Sequence, residues 1–113
     1  MTQPWTQHWQ GASTRRYLLE VREPAHTWSR TGGIYIFARR TESGWVPRCI
    51  GETGDLSAAI PDHPEWSRVD HLGESYVHVY RENNEFVRRN VEFDLRSKWN
   101  LRRAEAANSA IWR

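Results

Sequence analysis

At 113 residues the chain has room for one domain with one core and for no second catalytic unit. Hydrophobic residues make up 38% and charged residues 27%, a globular balance, and no stretch approaches the roughly 20 apolar residues needed to cross a bilayer, which excludes an integral membrane protein. The net charge is only +2, yet all of the 16 basic residues except Lys98 are arginine, and guanidinium suits phosphate, so composition leans towards a nucleic-acid partner. A solvated, arginine-rich surface with no such partner fits the same numbers.

Residues 1–31 mix Trp, Thr, Gln, Ser and Arg without a clean period. Their Tyr17-Leu18-Leu19-Glu20-Val21 run suits a short helix or a strand equally. The opening residues hold no apolar run of signal-peptide length, which predicts a cytoplasmic protein. Cys49 is the single cysteine, so the chain has no internal disulfide and no ready zinc site; a small apolar strand residue is the simplest reading of it.

From Gly32 the pattern sharpens. Gly33 to Ala38 is rich in β-branched and aromatic residues and reads as a buried strand. Thr41 to Gly44 supplies a turn, and the extended pattern resumes to Gly51, giving a β-hairpin with Pro47 at an outer end or edge. Thr53 or Asp55 can cap a short helix through Leu56 to Ile60, which Pro61 stops; His63 follows in a loop, and a second helical turn is predicted from Pro64 to about Val69. Ser75 to Arg81 is the third strand. Val87, Val91, Leu95 and Trp99 then recur every four residues, which predicts a helix over 84–99 laying that stripe on the core. The sum is an α+β domain, a small three-stranded antiparallel sheet flanked by helices, over residues 32–100. Residues 1–31 form an extension and 101–113 a tail.

Two tripeptides on the hairpin, Gly33-Ile34-Tyr35 and Cys49-Ile50-Gly51, resemble the two namesake motifs of the GIY-YIG nuclease superfamily, with cysteine in place of the second tyrosine. The downstream segments come in a similar order too: Glu52-Thr53-Gly54-Asp55-Leu56, then His63, then the third strand, then Val91-Glu92-Phe93-Asp94-Leu95 on the long helix. The resemblance implies a metal-dependent endonuclease acting on DNA. In it Tyr35 acts in activation of the attacking water, His63 stands at a catalytic position, and Glu92 is catalytic and holds one Mg2+ or Mn2+ ion. It also implies an arginine against the scissile phosphate, and eight residues beyond Gly51 that position holds Ala59. Loss of one preorganised donor costs enzymes about a hundredfold to a thousandfold in rate, so a degenerate site is expected. Arg88 and Arg96, four residues either side of Glu92, are the candidate replacements that would bind substrate.

Each site residue also has a plainer reading. Tyr35 suits a core position with a satisfied hydroxyl. Glu92 suits i,i+4 ion pairs with Arg88 or Arg96 on an open helix face. His63 suits a solvated loop, and His71 and His78 suit structural roles. The alternative function is accordingly a catalytically inactive module of the same kind that binds DNA or a protein partner.

Overall fold

The computed structural model describes residues 5–64 and 75–99. Five strands, β1 (Trp5–Gln10), β2 (Arg16–Arg22), β3 (Gly33–Thr41), β4 (Gly44–Thr53) and β5 (Ser75–Arg81), form one antiparallel sheet in the order β1-β2-β5-β3-β4. Among the described residues two helices accompany it, α1 (Leu56–Ala59) and α2 (Glu85–Trp99). The sheet curls into a half-barrel, and its two edge strands approach each other closely enough for the Trp45 indole N–H on β4 to donate to Gln7 Oε1 on β1 at 3.2 Å.

This corrects the three-stranded sheet flanked by helices that the sequence predicts. The segments 33–38, 46–51 and 75–81 are neighbours, with β3 between β4 and β5. What the prediction lacks is the β1–β2 hairpin, which adds to the free edge of β5 through Glu20, Val21 and Arg22. In β2 the residues Tyr17, Leu19 and Val21 are buried and alternate with more exposed neighbours, the period of a half-buried strand. In β1 only Trp9 is buried, so its polar sequence gives little apolar signal.

Curling divides the core in two. On the concave face Trp9, Tyr17, Leu19, Ile34, Ile36, Ala38 and Ile50 pack with Val91 and Leu95 of α2. On the convex face Tyr35, Phe37, Cys49, Val77 and Val79 pack with Trp28 and with Leu56 and Ile60 around α1. Alternation along β3 sends even residues to one core and odd residues to the other, which is why its sequence reads as one continuous apolar run. A bulge at Arg48, where pairing steps from Phe37↔Cys49 to Ala38↔Pro47, shifts the phase of β4 by one residue. Trp45 thereby lands opposite Arg40 on the concave face. Pro47 sits at this irregularity of an edge strand, where a missing N–H costs no ladder bond.

Asp55 caps α1, its carboxylate accepting from the Ser57 N–H at 3.1 Å, and Asn84 caps α2, its Oδ1 accepting from the Val87 N–H at 3.1 Å. The buried stripe of α2 is Arg88, Val91 and Leu95; Val87 and Trp99 are each 37% exposed, against the predicted stripe. Steps of four residues drift by about 40° each around an α-helix, so a stripe of period four leaves the core at its ends. Asp94, also on α2, fastens the missed hairpin to the helix. Its carboxylate accepts from Ser13 N (2.8 Å), Ser13 Oγ (2.7 Å) and the Tyr17 hydroxyl (2.7 Å). Gly11 has no side chain because a Cβ there would fall on that carboxylate. Among the described residues no helix is long and apolar enough to cross a membrane. The predicted turn beyond Pro64, His71 and the tail beyond Trp99 lie outside the described residues.

Candidate functional site

Tyr35 occupies the middle of β3, paired with Gly51 on one side and Val79 on the other. Its hydroxyl lies over Gly51, at a place where any Cβ would collide with it. The same packing logic holds at Gly33, where a Cβ would stand 2.6 Å from the Tyr80 carbonyl oxygen. Both glycines of the paired tripeptides are therefore demanded by close approach. Burial pushes the Tyr35 phenol well above its ordinary range, and the nearby Cys49 and Glu92 push it further, so it is a neutral hydrogen-bonding group and not a phenolate base.

His63 reaches the same spot from the loop after α1. Its ring stands edge-on to Tyr35 (5.5 Å between centroids) and to Phe37 (4.9 Å), and Nε2 lies 3.4 Å from Cys49 Sγ. Burial lowers the His63 pKa, so the ring is neutral near pH 7. The Cys49–His63 contact joins residues 14 apart in the chain, and sequence reading missed it because nothing adjacent to Cys49 announces it.

Glu92 and Arg96 come from α2, which passes along β4. Arg96 Nε donates to the Ile50 carbonyl at 3.2 Å, covering the outer edge of β4, and stands 3.6 Å from Glu92 Oε2. Both side chains are about one-fifth exposed, and both act on the electrostatics of Tyr35. His63, Glu92 and Arg96 thus share the neighbourhood of Tyr35.

Arg88 does not join them. Its Nε donates to Glu52 Oε1 at 2.8 Å and its Nη1 to the Asn83 carbonyl at 2.8 Å, and the residue is only 7% exposed. It clamps the end of β4 to the loop before α2, and the residue is nearly closed to solvent. Position 59, where the resemblance asks for an arginine, offers a half-buried methyl group on a helix of one turn.

The donor set does not suit the metal ion that the resemblance implies. Glu92 already faces a guanidinium, Glu52 is bound to Arg88 and faces Arg89 at 3.7 Å, and among the described residues no three His, Cys, Asp or Glu side chains gather to hold an ion. A cation would have to displace Arg96 from its carboxylate. The groups left over are a neutral phenol, a neutral imidazole and a partly exposed guanidinium, each able to donate a hydrogen bond to an anionic oxygen.

No protein-family model, curated protein or solved structure matches the chain.

Proposed function

We propose that the chain is a nucleic-acid-binding domain that keeps the outline of a phosphodiester site without the groups needed to cleave. The observation that carries this reading is the cluster at the β4 edge: the Tyr35 hydroxyl over Gly51, with Arg96 beside it and Glu92 balancing Arg96. A backbone phosphate approaching that edge meets a hydrogen-bond donor and a guanidinium, and Arg96 can exchange Glu92 for the phosphate. Exposed Arg15, Arg16, Arg30 and Arg39 supply the wider, sequence-independent attraction. Catalysis is disfavoured because Ala59 offers no guanidinium, Tyr35 is held protonated, and Glu92 is committed to Arg96.

The test is fluorescence anisotropy with labelled single-stranded, duplex and branched DNA over a salt series. Affinity should fall steeply with salt, and Arg96→Ala should weaken it and lower the slope of log K against log salt by about one. Undetectable binding at low salt overturns the reading. A plasmid-nicking assay with Mg2+ and Mn2+ runs beside it. Metal-dependent nicking that disappears in Glu92→Gln would replace this reading with that of a slow endonuclease.

A further inference from the structure

On the concave face, at the end of the sheet where the edge strands meet, three aromatic rings from three strands form the corner of a box. Trp5 (β1), Trp45 (β4) and Tyr76 (β5) are mutually near-perpendicular, with interplanar angles of 83°, 85° and 88° and centroid separations of 5.2 to 6.4 Å. The Arg40 guanidinium carbon lies over all three, 4.6 Å from the Trp5 ring, 5.4 Å from Trp45 and 5.6 Å from Tyr76. We infer that this corner is a binding site for an organic cation, a methylated ammonium or a guanidinium group, which Arg40 occupies in its absence.

Three features argue for a site over simple surface packing. The occupant is held by ring faces: among the described residues no carboxylate pairs with Arg40, so a competing cation has no ion pair to break. The walls are set before any ligand arrives. The Gln7 bond fixes one edge of Trp45, and the His78 ring stands edge-on to Trp45 at 4.4 Å, itself held by the Trp9 indole N–H donating to its Nδ1 at 2.9 Å. That bond requires Nδ1 to be unprotonated, so the imidazole beneath the box is neutral and does not repel a cation. The mouth is open: Trp5 is 43% exposed and Arg40 is exposed. Orthogonal walls fit a compact cation with its charge spread over several C–H or N–H groups. A nucleobase would need parallel faces to stack between. The box lies on the opposite face of the sheet from Tyr35, so it stands or falls apart from the nucleic-acid reading.

The experiment is calorimetric and NMR titration of wild type, Arg40→Ala and Arg40→Ala/Trp5→Ala with tetramethylammonium and methylguanidinium. Parallel titrations use one peptide carrying trimethyllysine, lysine or arginine at its centre. If Arg40 holds the box closed most of the time, its removal should tighten cation binding by about fivefold or more, since apparent affinity scales with the open fraction. Loss of Trp5 from the opened protein should then abolish binding. A trimethyllysine or arginine peptide that binds more tightly than the free cation places the ligand on a protein chain; equal affinities assign it to a free small molecule. Arg40→Gln replaces Arg40→Ala if the alanine variant is misfolded by circular dichroism. A folded, opened variant that binds no cation more tightly than wild type overturns the inference, as does binding that survives loss of Trp5. Binding of single-stranded DNA that is lost with Trp5, without any cation binding, would instead assign the rings to base stacking.

Discussion

Replacing Arg88 separates a structural guanidinium from a substrate-binding one. In Arg88→Ala the Glu52 carboxylate loses a 2.8 Å partner and keeps only Arg89 at 3.7 Å, and the Asn83 carbonyl loses its 2.8 Å donor. Hydrogen bonds to charged groups contribute about 1.5–3 kcal/mol each, and breaking a buried ion pair from one side costs about 3–5 kcal/mol. Glu52 retains some exposure, 19% of its side chain, so the lower end applies, about 3 kcal/mol for the substitution as a whole. For a domain of this size each kcal/mol moves the Tm by about 4 °C, giving a fall of about 12 °C. Thermal unfolding followed by circular dichroism measures it, with Arg88→Lys as the companion: a single ammonium cannot reach Glu52 and Asn83 together, so most of the loss should persist. A drop of less than about 1 kcal/mol, or a loss of DNA affinity with the Tm unchanged, refutes the structural reading.

His78 makes stability depend on pH. Burial lowers its pKa from 6.5 to about 3, and its Nδ1 must stay unprotonated to accept from Trp9. Because the folded value lies below the unfolded one, this contribution is complete above about pH 6.5 and is lost as pH falls towards 3, at up to about 1.4 kcal/mol per pH unit. Chemical denaturation from pH 7 to 4 should show that slope, and His78→Phe should reduce it by one proton; an unchanged slope contradicts the assignment. Gly51→Ala should destabilise by about 1–3 kcal/mol through its collision with the Tyr35 hydroxyl, and Tyr35→Phe should recover part of that loss. Additive losses in the double variant would show that the two residues do not meet.

Strands β3, β4 and β5 and helix α2 were legible because each carries its own periodicity or composition. The β1–β2 hairpin was not. Its support lies in contacts across distant positions, namely Asp94 to Ser13 and Tyr17, Trp9 to His78, and Trp45 to Gln7, none of which leaves a local pattern. The even spacing of Trp5, Gln7 and Trp9 was the available signal, muted by the polar residues between them. The α2 stripe drifts off the core at both ends, and at its first turns Arg88 takes the buried place expected of Val87, against the rule that charge faces water, because Glu52 is paired with it. At the candidate site, Tyr35 and Glu92 were named from the motif resemblance and Arg88 and Arg96 from their four-residue spacing to Glu92, whereas the partition of roles between the two arginines depends on which neighbour each one meets.

That partition bears on how much a tripeptide resemblance is worth. Gly33 stands where the Tyr80 carbonyl leaves no room for a Cβ, and Gly51 stands where the Tyr35 hydroxyl leaves none. A tyrosine on a central strand that lays its hydroxyl across the neighbouring strand demands glycine opposite it, whatever the protein does. The two glycines of the motif pair are therefore explained by packing, and the functional weight passes to residues that packing does not require. Of these, Ala59 and Cys49 depart from the nuclease pattern, and Glu92 is balanced by Arg96. Arg96 offers a partly exposed positive charge near Tyr35, with Glu92 as its counter-charge. A site with one guanidinium, one neutral phenol and a carboxylate already matched in charge can hold an anion and release it. Its phenol is held neutral and its carboxylate faces Arg96, so anion binding asks less of these residues than hydrolysis does, and the salt series and the nicking assay decide between the two.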